Sequence, residues 1–241
     1  MLDMKRLLVI FCLSLFCLLG IVAVRYAYVK AKYPVILKNI ESRRAELLRS
    51  YKQAKSEKEK EKVVDQARGF LNEVLPGKVL PAWYGTPWSF NGNAGHPFEG
   101  RVACGSFVEN VLRHAGFEID SRMSEQPSEY IIKNVCEERD IARFSRVSID
   151  AFNREVRKMG EGVYLVGLDS HVGFLYISKG KYRFVHSHGY LVVLSEVPSL
   201  SPTLRMSNYR VVGKLFSRNM TERWLLGEKI RLQYNYFAQK R

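Results

Sequence analysis

Val163-Tyr164-Leu165-Val166-Gly167-Leu168, His171-Val172-Gly173-Phe174-Leu175-Tyr176-Ile177-Ser178 and Tyr182-Arg183-Phe184-Val185-His186-Ser187-His188 follow one another almost without interruption, and this stretch decides the fold class. Each piece is short and rich in β-branched and aromatic residues. Only Asp169-Ser170 separates the first two, and only Lys179-Gly180-Lys181 the next. Connections this short join antiparallel neighbours, because a parallel pair needs a crossover of about a dozen residues. Further strands are expected at Leu191–Val197 and Tyr209–Phe216, which makes the C-terminal half an antiparallel meander.

Working outward toward the N-terminus, the period changes from two to 3.6. Cys104, Phe107, Val108, Val111, Leu112 and Ala115 fall on one helical face, and Gly116 closes it. Two more helical stretches are expected near 128–138 and 149–159. Helices first and an antiparallel sheet after is the signature of an α+β chain.

From about 35 to 75 the pattern is helical again. Ile36, Leu37, Ile40, Leu47, Leu48 and Tyr51 form one apolar stripe, and Val63 to Leu75 carries a second that Pro76-Gly77 is expected to end. The intervening run Lys55–Lys62 holds no apolar residue. It reads either as a solvated stretch of one long helix or as the turn of a helical hairpin. The region itself reads either as a stalk or as helices packed on the domain.

Leu7 to Val24 contains no charge and is flanked by Lys5-Arg6 and Arg25. Eighteen residues at about 1.5 Å each give about 27 Å, close to a bilayer's hydrocarbon core. Tyr26, Tyr28 and Tyr33 follow where an interfacial aromatic belt would sit. The apolar core is too long for a cleaved signal peptide, and Ile21-Val22-Ala23 is a poor cleavage site, so an uncleaved single-pass anchor is expected. Arg25, Lys30, Lys32 and Lys38 outnumber Lys5 and Arg6. The positive-inside count therefore puts the C-terminal part in the cytoplasm, in conflict with the functional reading below. The expected division is a tail at 1–6, a transmembrane anchor at 7–24, a helical region at 25–76, a catalytic domain at 77–218 and a basic C-terminal extension at 219–241.

The 241 residues carry a net charge of +14, with 46% apolar and 12% aromatic residues. That is ample for a packed core. The charge suits an anionic membrane surface or an anionic polymer such as a cell wall. No zinc-finger spacing or RNA-reading motif accompanies it, so no nucleic-acid partner is expected.

Cys12 and Cys17 lie in the apolar run, leaving Cys104 and Cys136 in the globular part, with no CxxC. A Cys104–Cys136 disulfide would consume a nucleophile, and Cys136 reads as a small buried hydrophobe. Cys104 opens a helix, where unpaired backbone N–H groups favour a thiolate and can hold an oxyanion. Gly105 leaves space beside the sulfur. His171, on a strand face shared with Gly173, Leu175 and Ile177, is a candidate base that needs a polar partner. His186 and His188 share one face of the next strand, and the pattern does not choose between them. Asp169 reads as an orienter, a substrate contact or a turn residue. Asn91, beside Gly92, sits in a loop able to shape a groove. The three histidines lack a carboxylate or cysteine at ligand spacing, so no metal is expected.

The order Gly85-Thr86-Pro87-Trp88-Ser89-Phe90-Asn91-Gly92, Ala103-Cys104-Gly105-Ser106-Phe107-Val108, His171-Val172-Gly173-Phe174 and Phe184-Val185-His186-Ser187 resembles the NlpC-type cell-wall cysteine peptidases of the papain-like superfamily. The resemblance covers about residues 80 to 200. It implies a papain-like domain whose N-terminal catalytic helix packs on an antiparallel sheet, with Cys104 as nucleophile, His171 as general base and acid, and His186 as the third polar residue. It implies no cofactor, and a peptidoglycan stem peptide or related amide as substrate. The implied location is the bacterial inner membrane, with the domain on the periplasmic side. Trp88, Asn91, Gly105, Asp169 and His188 are the expected substrate-binding positions. Ala103 stands where the family usually has aspartate, and Trp88 where it often has tyrosine. Two alternatives are a transglutaminase-like or acyltransferase-like enzyme using the same dyad, and a non-catalytic membrane-tethered binding or scaffold protein.

Overall fold

The computed structural model of the chain describes residues 4–120 and 122–233. Two long helices, α1 (Met4–Gln53) and α2 (Glu57–Val74), lead through a π-helical turn (Leu75–Val79) and α3 (Leu80–Trp83) into α4 (Cys104–His114) and α5 (Ser128–Val135). Strand β1 (Ile141–Ser145) and helix α6 (Ile149–Lys158) precede β2 (Gly162–Leu168), β3 (Val172–Ser178), β4 (Lys181–Ser187) and β5 (Val193–Glu196). The chain continues through α7 (Pro202–Met206), β6 (Tyr209–Lys214) and α8 (Arg218–Leu226).

The α+β reading holds. All six strands form one antiparallel sheet in the order β1-β6-β2-β3-β4-β5. The meander β2 to β5 is the one its short turns dictate, and β6 returns to the free edge of β2. Strand alternation sorts the sheet into two cores. Leu165, Phe174, Val185 and Val211 face α4, α5 and the N-terminal helices. Tyr164, Val166, Leu175, Phe184 and Val212 face Phe152 and Val156 of α6 and Leu204 of α7. Strand β1 escaped the sequence reading because it is a half-exposed edge whose Arg143 is held by Glu129 and Glu138 rather than by apolar packing.

In the N-terminal third the structure chooses between the readings left open in two places and departs from expectation at Pro76-Gly77. The hairpin turn lies at Ala54–Ser56, ahead of most of the charged run, which forms the first turns of α2. Ser56 Oγ accepts the Glu59 N–H (3.3 Å), and the Glu59 carboxylate accepts the Lys55 N–H (2.6 Å), a close variant of the capping box. Pro76-Gly77 does not end the helical course. Pro76 sits in the first turn of the π segment, where a missing N–H leaves no bond unmade, and the chain runs on to Trp83. The second half of α1 is packing helix rather than stalk: Val29, Tyr33, Ile40 and Leu47 are buried, and Arg25 donates to the carbonyls of Tyr84 (3.0 Å) and Pro81 (2.6 Å).

Nor does the segment after 218 stand apart as far as it is described. Trp224 is buried and donates to the Ala115 carbonyl at 2.7 Å, and Ile230 bridges to Ile119. Among the described residues, no helix is long and apolar enough to cross a membrane. Much of the run Leu7–Val24, Cys17 included, carries side chains outside the described residues, as do residues 234–241.

Candidate active site

Cys104 is the first residue of α4. Ala103 before it is extended and offers no capping side chain, so the first-turn N–H groups are left for other acceptors. The sulfur is approached by the N–H groups of Val172, Gly105 and Cys104 itself. Burial is the larger influence and pushes the thiol above its usual range, with those N–H groups opposing it. The resting group is therefore a thiol. Gly105 is buried for a steric reason: a Cβ there would run into the carbonyl oxygen of Ser124, so glycine lets the helix start dock on the Met123–Glu125 turn.

His171 ends the three-residue connection between β2 and β3, closed by the Leu168 N–H to His171 carbonyl bond at 2.8 Å. Its Nε2 meets Nδ1 of His186 at 2.8 Å. His186 is fully buried in β4, with Phe184 stacked against it. Gly173 makes room for this pairing, since a Cβ there would stand 2.8 Å from His186 Cβ and 2.9 Å from the Val185 carbonyl oxygen. On the far side, His186 Nε2 lies 3.2 Å from Glu196 Oε2, and the Ser201 hydroxyl donates to that same oxygen.

Burial lowers the basicity of both rings. His171 is pushed down to about 3, first by burial and then by the charges that His186 and His188 would carry, with Glu196 opposing. His186 is lowered by burial, again against Glu196. The hydrogen bond from His186 holds Glu196 below the usual carboxylate range despite its own burial. At neutral pH the array is thus two neutral imidazoles ending on a carboxylate.

A cleft of about 220 Å³ lies at the end of the sheet, lined among others by Cys104, Gly105, Ser124, Ser128, Asp169 and His171. Thiol and imidazole border this one space yet make no hydrogen bond to each other among the described residues. The strand geometry explains why. Cys104 packs with the α4 core, whereas Leu175 and Ile177, in alternation with His171, belong to the α6–α7 core. The two groups approach only where β3 begins.

The remaining expected positions separate. Asp169 lines the cleft, but its carboxylate accepts the N–H groups of Asn208 (2.8 Å) and Tyr209 (3.0 Å) and the Ser207 hydroxyl (3.0 Å), which hold it below its usual range and tie the hairpin to β6. His188 bonds its own loop through the Gly189 carbonyl (2.6 Å) and does not line the cleft. Trp88 packs beside Tyr190 at 5.5 Å and hydrogen-bonds Leu191, and Asn91 is exposed on the adjoining turn; neither reaches the cleft. Cys104 and Cys136 are both free, and Cys136 is buried with its thiol pushed far up. Among the described residues no cluster of His, Cys, Asp and Glu is arranged to hold a metal ion.

Sequence reasoning missed Glu196 and Ser201. The available signal was an acidic residue in the otherwise uncharged strand Val193-Leu194-Ser195-Glu196, next but one to the residue opposite His186 in the register. Comparisons with protein-family models, with curated proteins and with solved structures give no match to this chain.

Proposed function

We propose that this chain is a cysteine hydrolase of papain-like type that cleaves amide bonds, with peptidoglycan stem peptides as the leading substrate class. The observation that carries the reading is a cysteine at a helix start and a histidine backed by a second histidine, lining one cleft. Support for the papain-like arrangement comes from α4 packing directly on β3 and β4 of an antiparallel sheet. In the proposed reaction Cys104 Sγ attacks the amide carbonyl carbon as its proton passes to His171. Backbone N–H groups at the start of α4 hold the oxyanion. The imidazolium then protonates the leaving amine, and a thioester remains. Water adds to that thioester with His171 taking its proton, and the acid departs as the thiol is restored. The reaction starts from a neutral thiol and a neutral imidazole, both held so by burial.

The anchor reading of Leu7–Val24 belongs to the same proposal. Its support is the uncharged run itself and the exposure of Phe11, Leu13, Phe16, Val22 and Val24 on α1. Since α1 joins the packed domain from Arg25 onward, the catalytic unit would sit directly at the membrane surface, on the periplasmic side. A C-terminal reporter fusion tests that side.

A second reading, a non-catalytic binding or scaffold protein on the same fold, draws on the missing thiol–imidazole bond and the weak basicity of His171. Mass spectrometry of muropeptides incubated with the wild-type and Cys104→Ser proteins decides between the two. New cleavage products from the wild type alone are expected, and identical digests from both would favour the scaffold. Incorporation of an added amine into the product would mark a transferase instead.

A further inference from the structure

We propose that Glu196, acting through His186, fixes the proton positions on both imidazoles so that Nδ1 of His171 is the unprotonated nitrogen, which makes Glu196 a positioning residue of the site. The inference rests on the hydrolase reading for its catalytic meaning, but its chemistry is independent of it. An ionised carboxylate only accepts hydrogen bonds, so His186 must carry its proton on Nε2, the nitrogen 3.2 Å from Glu196 Oε2. A neutral imidazole has one N–H, so His186 Nδ1 is an acceptor. The 2.8 Å contact with His171 Nε2 then requires the proton on that nitrogen of His171. What remains on His171 is Nδ1 with a free lone pair, the form that takes a proton from a thiol.

Three further features support this ordering. His186 is fully buried, so water does not replace either of its partners. The Ser201 hydroxyl donates to Glu196 Oε2, holding the oxygen that meets the ring, and Ser201 is itself buried at the start of α7. When His171 accepts the thiol proton, the positive charge arises one ring away from a carboxylate that no described cation pairs with.

The test is long-range ¹H–¹⁵N NMR of the full chain labelled in its five histidines, alongside the rate of Cys104 alkylation read by peptide mapping. In the wild type both His171 and His186 are expected as Nε2–H tautomers, and an Nδ1–H form of either overturns the proposal whether or not any variant folds. Glu196→Gln can donate to His186 Nε2, so it is expected to move His171 toward the Nδ1–H form and slow Cys104 alkylation about tenfold or more. Unchanged tautomers and rate in that variant also overturn it. His171→Ala separates the two claims. If it leaves the alkylation rate unchanged, the hydrolase reading falls while the tautomer assignment stands; if it slows alkylation and Glu196→Gln does not, the positioning role alone falls.

Discussion

The molecule holds two histidine clusters, each with a largely desolvated imidazole, that differ in what those imidazoles meet. In the first, His171 and His186 run from a cleft bordered by a thiol to the carboxylate of Glu196. In the second, His114 at the end of α4 meets the Tyr33 hydroxyl at 2.8 Å, and that hydroxyl accepts the Trp83 indole N–H at 3.0 Å. His96 lies beside it, with ring centroids 4.9 Å apart. Burial depresses both His171, to about 3, and His114, to about 4. A depressed imidazole therefore marks desolvation, not catalysis. Partners make the difference: a phenol and an indole stitch α1 and α3 to α4, with Glu99 reaching only the outer His96 at 3.4 Å, whereas in the first cluster a carboxylate backs His186 and a thiol borders the same cleft as His171.

The largest effect expected from this contrast is on turnover. Cys104→Ser should lower amide hydrolysis roughly 10³-fold or more while leaving the unfolding midpoint near wild type, because a hydroxyl is a far poorer nucleophile beside a weak base. His114→Gln should do the reverse, costing stability and sparing turnover to within a few-fold. A hydrolysis assay paired with thermal melts on the same samples reads both, and the division between clusters fails if the two variants lose activity alike.

The next effect is on stability against pH. The unfolded chain binds protons at histidines near their usual value of about 6.5, while the native state keeps His114, His171 and His186 neutral to lower pH. Between these limits the unfolded state holds more protons, so stability rises with pH there and is lost as pH falls from about 6.5 toward 4. For His114 alone the loss is on the order of 2–3 kcal/mol. Urea titrations at pH 7 and 4.5 should show the drop, and His114→Gln should shrink it. An unaltered pH slope in that variant would mean His114 is protonated in the native state.

Much of the fold was legible, and the site only in part. The meander could be read because the turns joining β2, β3 and β4 are three and two residues long and their strands alternate cleanly, so local chemistry dictated the pairing. Cys104, His171 and His186 could be singled out because a helix start and neighbouring strands are local features too. What failed was non-local. The path of residues 85–102 is set by bridges from Pro87 to Val192 and from Trp88 to Val102, which carry Trp88 and Asn91 away from the cleft despite their place in the motif order. Asp169 is occupied by the backbone of Asn208 and Tyr209, a partnership about 40 residues distant that no spacing announces. Pro76-Gly77 read as a stop because proline breaks an α-helix, but a π turn places it where no donor is needed.

The smallest of these effects sharpens the comparison most, because it touches one atom of the structural cluster. Tyr33→Phe removes the hydroxyl that joins Trp83 to His114 and leaves a buried indole N–H and the imidazole Nδ1 without their partner. Stranding such groups costs about 1–3 kcal/mol. The loss should appear as a lower urea midpoint at constant slope, since the surface exposed on unfolding is unchanged. Cys104 alkylation should stay at the wild-type rate, because α4 is held at its other end by Phe107 packing against Trp83 and Phe174. If the variant instead slows Cys104 as strongly as His171→Ala does, the two clusters are coupled along α4, and the helix transmits to the thiol what happens at its far end.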